Sequence, residues 1–305
     1  MNGSSLHETG LLLLGLAALA IWYIARWVYL EKRSRGGRLP SVIDLLIGFV
    51  FNFFDALGIG NFATTTAAFK FRRQPADELI PGTLNVGYAL PTVTEALIFI
   101  AAVNVEATTL VAMIGSAVLG GLIGVGVVTR LPRRAVQIGM GLALLIAGAL
   151  LLATNLNLMP GGGSANGLSG GRLIFAVAVN FLLGALNMLG IGLYAPCLIL
   201  CTLLGMSTLA AFPIMMGSCA FLMPAAGGRF IRAGRYSLRS ALGLTLGGIP
   251  GVLLAALVVK SLPLVWLRWL VVFVVGYAAA LMLLSAYRAS RDPAPADISF
   301  SSGDV

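Results

Sequence analysis

The segment "DALGIGNFATTT" (Asp55–Thr66) lies inside an apolar stretch, 42–69, that is long enough to cross a bilayer. An uninterrupted membrane helix has no need of an acid, two glycines, an asparagine and three threonines in one short run. A second apolar stretch, 173–203, carries "NMLGIGLYAPC" (Asn187–Cys197). Its Gly190, Ile191 and Gly192 follow Gly58, Ile59 and Gly60 at an offset of 132. Glycine permits a sharp turn and lets another group approach the backbone. Close packing of two helices would also explain a Gly-x-Gly pair. Polar flanks on both copies favour two helices broken within the membrane.

Working outward, lipid is the expected solvent. The 305 residues are 59% hydrophobic and 10% charged, with a mean hydropathy of +0.97. A soluble domain carries about a quarter charged residues. Apolar segments recur at about 42–69, 81–103, 107–129, 134–154, 173–203, 208–226, 238–259 and 263–287, after a first one at 11–30. They are continuous rather than alternating, which argues against a β-barrel. The net charge of +9 is read as the Lys/Arg bias of cytoplasmic loops, not as a nucleic-acid surface. Cys197, Cys201 and Cys219 all lie in apolar segments, and His7 is the only histidine. Neither a disulfide framework nor a metal site follows from these residues, and no cofactor is expected. Without a Ser-His or His-Asp set, an enzyme is not expected either.

Charge decides the topology. Lys32, Arg33, Arg35 and Arg38 follow the first apolar run instead of preceding it. That order suits a retained helix with its N-terminus outside, and Trp22, Tyr23, Trp27 and Tyr29 suit its inner interface. If 42–69 crossed once, Lys70, Arg72, Arg73, Arg130, Arg133 and Arg134 would face outward. If it turns at Gly58–Gly60 and returns, they face the cytoplasm, as do Arg229, Arg232, Arg235, Arg239, Arg288 and Arg291. Only Arg172, Lys260 and Arg268 then lie at the outer side, with Arg26 near the inner end of the first helix. Each half of 42–69 is also too short for a hydrocarbon core of about 30 Å.

The two halves of the chain align. Asp55 matches Asn187, and Thr64 matches Pro196. Gly87 matches Gly217, and "GGLIG" (Gly120–Gly124) matches "GGIPG" (Gly247–Gly251). Each unit is a hairpin plus three crossings, so the second copy is upside down. The expected fold is an all-α polytopic membrane protein of two inverted-topology repeats. Each repeat is a re-entrant, broken-helix hairpin plus three transmembrane helices, and one extra N-terminal transmembrane helix precedes them. The boundaries are 1–40 for the N-terminal helix and basic loop, 41–156 for the first repeat and 157–171 for an external, flexible Gly-rich linker. The second repeat takes 172–290, and 291–305 is a flexible cytoplasmic tail.

In each broken segment a second half-helix is expected to start near Thr64 or Pro196, its free N–H groups facing mid-membrane. Such an end binds an anion without a formal positive charge. Candidate contacts are Gly58, Gly60, Asn61, Thr64 and Thr65 in the first copy, with Thr66 a further donor. Those in the second are Gly190, Gly192, Tyr194, Pro196 and Cys197. Asn52, Asn85, Asn187 and Ser218 could complete the shell. Gly120, Gly121 and Gly124 lack polar flanks and read as helix packing. Asp55 and Glu95 are the only carboxylates well inside apolar segments. Glu95 either carries a coupling proton or ties helices together, and Asp55 either caps its half-helix or binds a cation.

At these residues the chain resembles the TauE/SafE family of membrane permeases, also called sulfite exporters, over about 41–288. "GIGLYAPCLIL" carries the closest likeness, with Gly190, Gly192 and Pro196 in place. "GIGNFATTTAAF" departs from the pattern, with Thr64 where proline is expected. Asn61 and Leu193 replace a third glycine common in the family. The resemblance implies a secondary transporter of sulfite, a sulfonate or a related organosulfur anion in a bacterial inner membrane, exporting by coupling to an ion gradient. The two breaks would contact the substrate. An anion channel of the same fold and a cysteine-based sulfur carrier stay open, as do a homodimer and other oligomeric states.

Overall fold

The computed structural model describes residues 3–32, 39–58, 60–158 and 163–258, with Ala280, Leu283, Leu284 and Tyr287. The apolar segment 263–287 lies mostly outside these residues, as do Ile59, Lys260, Arg268, Arg288, Arg291 and the tail. Among the described residues the chain is helical, with one isolated bridge between Ala165 and Met206. Six helices among the described residues are long and apolar enough to span a membrane. The protein is a polytopic all-α membrane protein.

The elements are α1 (Gly3–Lys32), α2 (Val42–Asp55), α3 (Phe62–Arg72), α4 (Ile80–Gly87) and α5 (Ala89–Ala102). They continue with α6 (Ala107–Val128), α7 (Arg133–Asn155), α8 (Gly170–Asn187), α9 (Tyr194–Leu203), α10 (Thr208–Arg232) and α11 (Leu238–Val258). A 3-10 turn (Asp77–Leu79) leads into α4, and the turn, α4 and α5 form one span of 26 residues, Asp77–Ala102. At 14 and 11 residues, α2 and α3 are about 21 and 16 Å long. Neither crosses the hydrocarbon core alone.

Both broken segments fold back. Ser41 caps α2, and its hydroxyl accepts the Asp44 N–H. Arg72 at the far end of α3 pairs with that same Asp44, so α3 returns to the end from which α2 set out. In the second segment the Ser207 N–H, just past α9, donates to the Ala165 carbonyl ahead of α8 at 2.9 Å. The two hairpins open at opposite ends of the bundle. At the first end, Lys70 pairs with Asp77 at 2.8 Å, and the Gln137 amide donates to Asp77 at 2.7 Å. Arg235 donates to the Thr129 and Leu131 carbonyls there, and Tyr236 bonds Glu31. At the second end, the Glu106 N–H donates to the Asn166 carbonyl. The basic turns around Lys70, Arg130 and Arg235 therefore share one face of the molecule.

Glycine sets the helix spacing. α2 packs along α11, and α8 packs along α6. A Cβ on Gly247 would lie 2.0 Å from the Leu45 carbonyl oxygen, and one on Gly120 1.9 Å from that of Phe181. Gly124 and Gly251 are as tightly faced, by Ala185 and Phe49. Helix packing is thus the role of Gly120, Gly121 and Gly124: backbone lies where a side chain would go at Gly120 and Gly124, and the Leu222 side chain at Gly121. α10 runs through the centre, almost wholly buried, against α4, α5 and α6.

Three expectations change. α10 continues to Arg232 instead of ending near 226, because small residues at Ala225–Gly228 let it pass under α1: Tyr23 sits on Gly227, and Arg26 on Gly228. Tyr23 and Trp27 therefore face protein, not the interface. Tyr23 Oη donates to the Val86 carbonyl, and Trp27 Nε1 donates to Tyr236 Oη; Trp22 and Tyr29 stay exposed. The part of the Gly-rich linker at 163–169 is pinned, not free. Gly163 touches Gly205 backbone, and Thr109 Oγ1 both accepts the Leu168 N–H and donates to the Leu168 carbonyl.

Candidate functional site: a cavity between two helix breaks

The two breaks share their turn bond and the first bond of the helix that follows. The Gly58 N–H donates to the Asp55 carbonyl at 2.7 Å, and the Gly190 N–H to that of Asn187 at 3.0 Å. Gly58 and Gly190 have φ of +84° and +91°, the left-handed region that glycine enters freely. The next helices start with Thr65 N–H donating to the Asn61 carbonyl and Cys197 N–H to that of Leu193. α3 and α9 begin at Phe62 and Tyr194, two residues earlier than expected. Thr64 and Pro196 are thus third in their helices, a first-turn place where proline is tolerated.

The polar residue before each turn reaches across it. Asn187 Oδ1 accepts the Leu193 N–H at 3.2 Å. Asp55 accepts the Asn61 N–H in the same way. The amide of Asn187 also donates to Asn85 Oδ1, and Asn85 donates to the Asn187 carbonyl. Asn61 Nδ2 donates to Asn52 Oδ1, and Asn52 Nδ2 to the Gly48 carbonyl. These bonds satisfy backbone groups that a helix break leaves open in lipid.

The two helix starts meet. Asp55, Gly60, Asn61 and Phe62 line one side of a cavity, and Asn187, Gly192, Leu193 and Tyr194 line the other. Thr92 of α5 and Cys219 and Met223 of α10 close it. None of these is Lys or Arg. Its volume is about 20 Å³, room for one water. The first residues of α3 and α9, Phe62 and Tyr194, thus stand at the cavity, and the first-turn N–H groups of a helix have no partner within it.

Several expected contacts lie outside the lining. Gly58 and Gly190 form the turns. Asn52 positions Asn61, and Thr64 bonds back to the Asn61 carbonyl. Thr65 shares a hydrogen bond with the Tyr88 hydroxyl. Pro196 shapes the α9 start, and the Cys197 thiol bonds Cys201. Ser218 accepts from Asn180, which also donates to the Met113 carbonyl. Glu95 stands behind the wall: Tyr194 Oη donates to its Oε2 at 2.7 Å, and it interacts with Asp55. Thr92, Phe62, Cys219 and Met223 were not singled out as contacts by their sequence. Thr92 lies one helical turn from Glu95, a polar pair on one face that could have flagged it. The others look like ordinary core residues.

No family model matches the chain, and no curated protein or solved structure gives a significant match.

Proposed function

We propose that this is a secondary transporter of a small anion, built as two inverted repeats whose broken helices form one binding site. The observation that carries the reading is the cavity where both helix starts converge without a basic side chain. Helix N-termini attract negative charge through free N–H groups and the aligned peptide dipoles. Holding an anion this way, instead of with a buried Arg, favours release as well as capture.

The TauE/SafE-like motifs make sulfite, a sulfonate or a related organosulfur anion the favoured cargo, and export the favoured direction. By the positive-inside rule, the basic turns gathered on one face support a cytoplasmic position for that face. The membrane is then a bacterial inner membrane, with the N-terminus periplasmic and the C-terminus cytoplasmic. A cavity with room for one water favours a carrier over an open channel, since an oxyanion is larger and needs the site to reshape. Cys219 lines the cavity, so a sulfur-carrier role is tested by Cys219→Ser, which leaves transport intact in an anion carrier.

The test is uptake and counterflow of sulfite and methanesulfonate in proteoliposomes. Saturable flux with stimulation by anion on the far side is expected. Failure to move any sulfur anion overturns the reading, and flux that never saturates returns it to a channel.

A further inference from the structure

Glu95 and Asp55 are 0% and 2% exposed, in the middle of a lipid-embedded bundle. They come from different elements, α5 and the end of α2, and their carboxyls interact. Glu95 Oε2 has its donor in Tyr194, but Glu95 Oε1 is buried without a hydrogen-bond partner among the described residues. The other titratable groups facing the pair are Tyr88 at the α4–α5 junction, Tyr194 on α9 and Cys219 on α10. None of them supplies a positive charge at neutral pH. Two adjacent carboxylates in such a place repel each other and have lost their water. A buried acceptor without a donor, beside a second carboxylate, is the geometry that one shared proton satisfies.

We propose that Asp55 and Glu95 form a proton-binding pair on the wall of the anion cavity, and that this proton is the ion coupled to transport. Binding adds one H⁺ to Glu95 Oε1. The new O–H donates to the Asp55 carboxylate, and the pair's charge falls from two negatives to one. Asp55 also lines the cavity, so protonation weakens its repulsion of a bound anion. By linkage, proton and anion then each favour binding of the other. When the site opens to water the proton leaves with the anion, a symport in which export runs down the outward anion gradient and carries a proton out with it. The coupling rests on the transporter reading; the shared proton does not.

Infrared spectroscopy of the purified protein in lipid reads the proton directly. The wild type at neutral pH is expected to show a protonated-carboxyl C=O band that shifts in D₂O. Glu95→Gln supplies an amide donor to Asp55 in place of the O–H, and the band is lost. The Asp55→Asn/Glu95→Gln double variant also lacks it. No band in the wild type, or an unchanged band in both variants, overturns the pair. Loss of the band on replacing potassium with sodium at fixed pH also overturns it, in favour of a sodium site. In proteoliposomes, a methanesulfonate gradient is expected to move protons, read by a trapped pH dye, and Glu95→Gln to lose that signal. Anion flux without proton movement in the wild type overturns the coupling. A band as expected with no sulfur anion moved overturns the cargo and leaves the pair standing.

Discussion

At the first break Asp55 accepts the Asn61 N–H; at the second, Asn187 accepts the Leu193 N–H. The turn bonds, the positive φ of Gly58 and Gly190 and the helix starts coincide at an offset of 132 residues. The chemistry differs. The first break has an acid and Phe62, where the second has an amide and Tyr194. Glu95 joins the odd members of the two sets, interacting with Asp55 and accepting from Tyr194. A shared backbone thus serves as a neutral frame, and the residues that break the symmetry carry the titratable chemistry.

Exchanging the odd members tests that division. Asn187→Asp gives the largest effect, because the amide that donates to Asn85 is lost and an unpaired charge is buried. A cost of about 3–5 kcal/mol is expected, seen as a large fall in the thermal midpoint in detergent. Tyr194→Phe makes the second break like the first and removes the donor to Glu95. About 1–3 kcal/mol should be lost, and Glu95→Gln in the same background should recover part of it.

Gly60 and Gly192 are paired in sequence but not in conformation. Gly60 has φ of +86°, whereas Gly192 is not in the positive-φ region. Gly60→Ala should cost about 1–2 kcal/mol, by thermal unfolding. Gly192→Ala should stay within about 0.5 kcal/mol, since its Cβ would meet Phe62 at an ordinary 3.5 Å. Equal costs at the two sites would break the comparison. Gly192→Leu, in contrast, should fill the cavity and stop anion flux while the protein still folds. Asp55→Asn has the smallest effect on stability, because an amide oxygen already performs this cap at Asn187. A midpoint within a few degrees of wild type is expected, and a collapse would show that the acid itself holds the turn.

Much of this was legible in the residues. Glycines with polar flanks in two apolar stretches marked the breaks, and the Lys/Arg distribution placed the Lys70–Arg73 turn with the other basic loops. The spacing of Gly120 and Gly124 marked a helix contact. The threonines misled: a short hydroxyl in a helix readily bonds its own backbone, as Thr64 does. Thr65 is turned to Tyr88 instead of the cavity. Cys197, too, looked equivalent to its neighbours until α9 was oriented.

By itself the sequence determined the solvent, the helices, the two interruptions and the side on which charge gathers. These follow from local composition, because hydrocarbon tolerates neither scattered charge nor open backbone. Only the tertiary structure decided which polar groups meet. Asp55, Glu95 and Tyr194 lie on three separate elements, and their separations in the chain carry no distance. Packing of α5 and α9 on α10, and of α2 and α5 on α11, brings them together, and so sets which of many buried polar residues face one small cavity.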